Sequence, residues 1–247
     1  MYGKRAKLGI VVPSVNFVME PELNRMAPEG VNVYAARMRA EGSYGPDTLN
    51  DMSRNADYAA EDLKAVADVI AYGCTSGSFV NGPAFDAELV ARFQKVTGKP
   101  STTTSTALTR GLRELGVKRI AIATPYTREV NDRMVVYFQE QGLEVLGIDG
   151  LGVTRRGGQG DYEPQAAYDL ARKVDSAAAE AIVISCTNFR TIDILESLER
   201  DLGKPVISSN QATLWDLLRI AGIEDQISGF GQLLARPRRA EQLAAVS

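Results

Sequence analysis

Asp68-Val69-Ile70-Ala71-Tyr72-Gly73-Cys74-Thr75 and Ala181-Ile182-Val183-Ile184-Ser185-Cys186-Thr187 are two versions of one pattern. Each is a short, largely β-branched apolar run, the signature of a strand buried on both faces. Each ends on a cysteine followed by threonine. A helix-forming stretch and Gly-Lys-Pro follow in both cases, the triplets standing at 98–100 and 203–205. Ser101-Thr102-Thr103-Thr104-Ser105 comes after the first triplet and Ser208-Ser209-Asn210 after the second, each leading into another helix. Positions 74 and 186 are 112 apart, and so are Pro13 and Pro125, which close the similar runs Leu8-Gly9-Ile10-Val11-Val12-Pro13 and Arg119-Ile120-Ala121-Ile122-Ala123-Thr124-Pro125. The copies differ mainly after the cysteine: 26 positions separate Cys74 from Pro100, and 19 separate Cys186 from Pro205. Such a period is far longer than the ~20–50 residues of a solenoid. It predicts two similar Rossmann-like α/β halves related by a pseudo-twofold axis.

Outward from these anchors, strands are predicted over 8–12, 68–72, 119–123, 143–148 and 181–185. Helices are predicted over 47–66, 85–96, 106–115, 130–141, 164–174, 192–202 and 211–220. Elements in this alternation form βαβ crossovers and parallel sheets covered on both faces. Residues 1–116 with 222–247 are expected to form the first half, and 117–221 the second. The glycine-rich Arg155-Arg156-Gly157-Gly158-Gln159-Gly160 reads as a loop.

The 247 residues are 45% apolar and 24% charged, ordinary values for a chain with a sizeable core. A net charge of −3 leaves no basic surplus for a phosphate backbone, so no nucleic-acid partner is expected. There is no histidine. Ser-His-Asp and Cys-His nucleophile systems, HExxH zinc sites and His-ligated haem are thereby excluded. Two cysteines make neither a zinc site nor a disulfide framework, and no metal is expected. No apolar run approaches the ~18 residues of a membrane span, so no membrane partner is expected. The stretch Leu8-Gly9-Ile10-Val11-Val12 stops at Pro13, too short for a signal-peptide core. A cytoplasmic protein with reduced thiols is the expectation, with a homodimer as the commonest default among oligomers.

Each cysteine sits just past the C-terminal end of an apolar strand, the edge where open parallel sheets bind ligands. If the halves face each other, so do the thiols, across one cleft. Neighbouring Ser, Thr and Asn residues and helix N-termini then suit a small carboxylate or dicarboxylate. A helix N-terminus is expected to lower a thiol's pKa towards neutral. Two opposed thiols can take a proton from one face of a carbon and return it on the other. Alternatively, one can add to an activated double bond while the other handles the proton. Either path needs donors for an enediolate, and neither needs a cofactor. A single cysteine after a strand is ordinarily inert packing; two at matched positions of a repeat argue for chemistry.

The chain resembles the aspartate/glutamate racemase superfamily, in its branch of maleate cis–trans isomerases and arylmalonate decarboxylases. Val11-Val12-Pro13-Ser14-Val15-Asn16, Met19-Glu20-Pro21-Glu22 and Ala36-Arg37-Met38-Arg39 are similar to the isomerases. Gly73-Cys74-Thr75-Ser76-Gly77-Ser78-Phe79, Thr103-Thr104-Ser105-Thr106-Ala107 and Thr124-Pro125-Tyr126-Thr127-Arg128-Glu129-Val130-Asn131 are closer to the decarboxylases. Ser185-Cys186 and Gly229-Phe230-Gly231-Gln232-Leu233-Leu234 resemble both. The resemblance implies Cys74 and Cys186 as the catalytic pair. It further implies Ser14, Asn16, Thr75, Ser76 and Tyr126 as ligands of the carboxylate or the oxyanion, with Thr187 and Asn188 as counterparts in the second half. In the isomerases the first cysteine adds to the alkene carbon, the new single bond rotates, and elimination gives the trans acid. In the racemases the pair works as opposed acid and base. In the decarboxylases the first position is not cysteine, and the residue matching Cys186 protonates the enediolate. Cys74 therefore points to an isomerase or racemase. A substituted-malonate decarboxylase relying on Cys186, and a carboxylate-binding protein without turnover, are the alternatives. The isomerases carry a substrate-binding asparagine where this chain reads Val153-Thr154-Arg155-Arg156-Gly157-Gly158-Gln159. Arg155 or Arg156 could pair with a carboxylate there, or simply be solvated. Tyr126 could be a half-buried aromatic, Asn16 a helix cap, the Thr102-to-Thr106 cluster turn and cap chemistry, and Trp215 core or interface. Glu20 and Glu22 read as helix-start residues.

Overall fold

The computed structural model describes residues 2–39, 41 and 45–237. Its first half begins with β1 (Ala6–Pro13), α1 (Met19–Met26) and β2 (Val31–Met38). It continues through α2 (Pro46–Arg54), α3 (Ala56–Leu63), β3 (Val69–Tyr72), α4 (Thr75–Phe79), α5 (Gly82–Thr97), β4 (Ser101–Thr103) and α6 (Thr104–Leu115). The second half comprises β5 (Arg119–Thr124), α7 (Arg128–Glu140), β6 (Glu144–Gly150), α8 (Pro164–Val174), β7 (Ala181–Ile184), α9 (Leu195–Leu202), β8 (Val206–Ser208) and α10 (Ser209–Ile220). A short α11 (Gln232–Ala235) follows. The two sheets have orders β2-β1-β3-β4 and β6-β5-β7-β8, parallel throughout. The register repeats as well: Leu8 stands beside Val69 in one sheet, Ile120 beside Ala181 in the other. The duplicated α/β architecture is thus present strand for strand. All four residues of β3 and of β7 are buried, which is why these central strands carry the cleanest signal in the sequence.

Four differences from the sequence reading have physical causes. β2 was not expected because it is an edge strand whose middle residues are only half-buried, so its apolar pattern is weak. β4 lies inside the Ser/Thr-rich stretch 101–105 and β8 runs into the second such stretch at Ser208; Ile70 pairs with Ser101 and Ile182 with Val206, in three-residue strands too short to show a period. The helix expected over 47–66 is two helices, broken at Asn55, whose amide hydrogen reaches Met52 O and whose carboxamide donates to Asp51 O at 3.2 Å. Glu22 is buried rather than a simple helix-start residue. It accepts from the Thr191 N–H at 2.8 Å and from Asn210 Nδ2 at 2.6 Å, tying α1 to the second half. Burial holds the Glu22 carboxyl above its ordinary pKa, opposed by the Asn210 amide and the N–H groups of Thr191 and Ile192.

The halves meet along α6 and α10, which pack together. Both helices are capped alike. Thr103 Oγ1 accepts from the Thr106 N–H at 3.0 Å, and Ser208 Oγ accepts from Gln211 N–H at 3.2 Å. Gln211 Oε1 returns a bond to Ser208 N–H at 3.3 Å, completing a capping box. The Thr213 hydroxyl donates to Thr104 Oγ1 across the junction at 3.1 Å. Buried Asp216 accepts from Thr102 Oγ1 at 2.6 Å and pairs with Arg110 at 3.0 Å. Trp215 belongs to the core, with the Arg219 guanidinium 6.0 Å from its ring centre. Of the 222–247 segment expected to return to the first half, 238–247 lie outside the described residues. Asp225 pairs with Arg5 at 2.5 Å, and Leu233 lies against Gly111 of α6.

Gly150 ends β6 where a side chain has no room. A Cβ there would stand 2.6 Å from Tyr126 O and 2.7 Å from Asn131 Nδ2. Neither neighbour can yield cheaply: one is backbone, and the Asn131 carboxamide accepts the Thr124 hydroxyl at 2.7 Å. Gly150→Ala is expected to cost about 1–3 kcal/mol, read as a lower denaturant midpoint with unchanged slope.

Candidate active site

Both cysteines follow the C-terminal end of a central strand. The Gly73 N–H continues the β3 ladder to Val11 O at 2.7 Å, and the Ser185 N–H continues the β7 ladder to Ala123 O at 2.9 Å. One residue later each chain leaves its sheet and turns its thiol into a shared pocket of about 530 Å³, mouth included. Pro13, Val15, Asn16, Cys74, Thr75 and Ser76 supply one side. Tyr126, Cys186, Thr187 and Asn188 supply the other, with Arg156, Gly157 and Gln159 from the loop after β6. Gly45, Thr48, Leu49 and Met52, at the start of α2, close it.

Nearly every sequence-predicted site residue reaches this pocket: Cys74, Cys186, Asn16, Thr75, Ser76, Tyr126, Thr187 and Asn188. Ser14 does not. It is exposed one residue beyond β1, its N–H bonded to Met38 O at 2.9 Å. Much of the polar wall is already knit together. Asn16 Oδ1 accepts from the N–H groups of Val18 and Met19 at the start of α1, as a cap would. Its Nδ2 donates across the cleft to Thr187 Oγ1 at 3.0 Å, and the Thr187 hydroxyl donates to Gly73 O at 3.1 Å. Asn188 accepts from Phe17 N–H and donates to Gly157 O, both at 3.1 Å. These residues lock the two halves at a fixed spacing. The thiols, the Ser76 hydroxyl 3.7 Å from Cys74 Sγ and Tyr126 also face the pocket, beside the first turn of α4.

Ser209 went unassigned in the sequence, where Ser208-Ser209-Asn210 reads as turn chemistry. Its Oγ accepts the Cys186 N–H at 3.0 Å and pairs with Thr75 Oγ1 at 2.9 Å, joining the residue after one cysteine to the backbone of the other. The signal was its place in the repeat. Asn210 donates to Thr187 O at 3.1 Å just as Ser105 donates to Thr75 O at 3.2 Å. Cys186 is the one described non-glycine residue with positive φ, at 151°. Such backbone costs about 1–3 kcal/mol and gathers at functional sites.

The thiols are not lowered, contrary to the sequence expectation. Burial pushes the Cys74 thiol up, opposed by the Gly77 N–H and the Ser76 hydroxyl. Burial pushes Cys186 up to about 12; the Asn188 N–H, 3.4 Å from its sulfur, pulls the other way. A charge on Cys74 raises Cys186 further, so the two sulfurs are electrostatically linked. Both cysteines are under a tenth exposed, and the five-residue α4 cannot offset that desolvation. The resting site therefore holds two protonated thiols. Of the loop arginines, Arg155 pairs with Asp161 at the surface, while Arg156 reaches the pocket. Among the described residues no three Cys, Asp or Glu side chains group as metal ligands, and no helix is long and apolar enough to cross a membrane.

Each half delivers one cysteine to the common cleft, and two like α/β halves with a pocket between them define a duplicated α/β class of protein. Within it, the chain belongs to the arylmalonate decarboxylase family, whose sequence profile matches residues 8–234. It is 34% identical to the arylmalonate decarboxylase of Bordetella bronchiseptica over 218 residues, covering 85% of this chain and 91% of that one. The maleate isomerase Iso of Pseudomonas putida S16, solved as a cysteine-to-alanine variant with maleate, superposes with a TM-score of 0.89 at 27% identity, over 93% of this chain and 97% of that one. A Nocardia farcinica maleate cis–trans isomerase, solved as a cysteine-to-serine mutant with a covalently bound succinylcysteine intermediate, gives a TM-score of 0.89 at 25% identity, over 93% and 98%.

Proposed function

We propose that the chain is a cofactor-independent isomerase or racemase of a small carboxylate, using Cys74 and Cys186 as its reacting pair. The observation that carries this reading is that both thiols line one pocket from opposite halves. For an unsaturated acid, Cys74 gives up its proton to solvent, and the thiolate sulfur forms a bond to the alkene carbon; the proton is taken back when the sulfur leaves. The alkene electrons pass to the carboxylate as an enediolate, which Cys186 protonates at carbon. Rotation about the new single bond and reversal of these steps release the trans acid, with no net change in protons or electrons. For a saturated acid, one thiolate removes the α-proton and the other thiol returns one on the opposite face. Tyr126, Ser76 and the first-turn amides of α4 hold the developing negative charge. The covalent succinylcysteine in the Nocardia relative supports the addition route.

A second reading, decarboxylation of a substituted malonate with Cys186 as proton donor, draws on the 34% identity to a decarboxylase. Incubation with dicarboxylates, amino acids and aryl malonates in deuterium oxide, followed by NMR, tests both. Isomerised or deuterium-exchanged acid supports the first reading; carbon dioxide loss alone replaces it with the second. A panel left unchanged throughout, with ligands raising the melting temperature, would leave only a binding protein.

The raised thiols set a pH dependence. Below the pKa of Cys74 its thiolate share grows tenfold per unit, and burial has moved that pKa upward, so neutral pH lies on the rising limb. Cys186 stays protonated through this range. The expected result is kcat/KM rising about tenfold between pH 7 and pH 8, checked by initial rates; a flat profile would contradict thiolate attack as the limiting step.

A further inference from the structure

The loop after β6 brings a cation to the pocket. Among the described residues that line it, Arg156 is the only charged side chain. Its Nη2 donates to the backbone carbonyl of Glu41, in the loop after β2. Its Nη1 is buried and has no hydrogen-bond partner among the described residues. The Glu41 carboxylate pairs instead with Arg39, at 2.5 Å. Beside Arg156, Gln159 is 4% exposed and lines the same pocket. The loop is fixed relative to the thiols: Gly157 O accepts from Asn188, whose own N–H meets Cys186 Sγ. An unpartnered buried guanidinium nitrogen costs the fold free energy that an anion in the pocket would recover.

The geometry points to Arg156 as the residue that selects a dicarboxylate. One carboxylate lies with the thiols and Tyr126, and the second meets Arg156 Nη1 with Gln159 beside it. This rests on the small-carboxylate reading above and deepens it from one carboxylate to two. A planar guanidinium held at one nitrogen by a backbone carbonyl is pre-set to offer its other face to a carboxylate oxygen.

Succinate and butyrate share a four-carbon saturated chain and differ by one carboxylate, so they probe the second subsite without turnover. Ligand-observed NMR titration of the wild-type protein is expected to show succinate binding about 10- to 100-fold more tightly than butyrate. In Arg156→Gln the preference is expected to fall within about threefold, through loss of succinate affinity with butyrate unchanged. Arg156→Lys keeps the charge but not the fork, and is expected to weaken succinate about three- to tenfold. It carries the test if the glutamine variant does not fold. Equal binding of the two acids by wild type would overturn the proposal, as would an unchanged ratio in either variant. Arg155→Gln, in the same loop but outside the pocket, should keep the full preference. A wild-type protein inactive in deuterium oxide yet selective for succinate would sink the proposed reaction and leave this subsite standing.

Discussion

Cys74→Ala and Cys186→Ala are each expected to lower turnover about 10²- to 10⁴-fold, the range for removing a group that transfers a proton or forms a bond in the rate-limiting sequence. Neither change should unfold the protein. Each removes one sulfur from a pocket wall, and a free cysteine packs as a small hydrophobe. Cys186→Gly makes the sharper control. It removes the thiol at a backbone whose φ of 151° only glycine adopts without strain, so stability should hold or rise while activity is lost. Rates on the substrate found by NMR, with denaturation midpoints for each variant, check this. Full activity in both alanine variants would end the two-thiol mechanism. Decarboxylation of an aryl malonate that survives Cys74→Gly but not Cys186→Gly would select the one-cysteine reaction.

What could be read from the sequence follows burial. β3 and β7 are covered on both faces, so their residues had to be apolar and their duplication stands out at a fixed spacing. The cysteines inherit their visibility from those strands. β2 shows only half its length to the core, and nothing in Val31-Asn32-Val33-Tyr34-Ala35-Ala36 announces a strand beyond weak alternation. The covering of the pocket by Leu49 and Met52 was hidden for another reason. Both fall inside the single helix expected over 47–66, and only the break at Asn55 gives α2 a direction of its own. The thiol pKa values ran opposite to expectation because a helix N-terminus is visible in sequence, whereas the depth at which a sulfur is buried depends on side chains from both halves. Asn16, Thr187 and Asn188 were expected as site residues and do line the pocket, yet their polar atoms mostly hold one half to the other.

Ser209→Ala is expected to lower kcat about 10²-fold with KM within about threefold, although Ser209 is not among the residues lining the pocket. Ser209 is fully buried, and its Oγ is the acceptor for the N–H of Cys186. That residue sits in backbone only glycine enters freely, and something must hold it there. Without the hydroxyl, the Cys186 N–H is buried and unsatisfied, at a cost of about 1–3 kcal/mol. The peptide can recover this by rotating towards an ordinary φ, which carries the sulfur away from its position opposite Cys74. Thr75 loses its partner in the same substitution, so both halves of the site loosen together. Ser209→Thr retains the hydroxyl, and Thr104 occupies the equivalent first turn of α6, so threonine should restore kcat to within about tenfold of wild type. Steady-state kinetics and a denaturation midpoint separate the possibilities. A lower midpoint with kcat intact would make Ser209 a purely structural tie, whereas a fall in kcat that threonine rescues would show that the strained backbone of Cys186 aims its thiol.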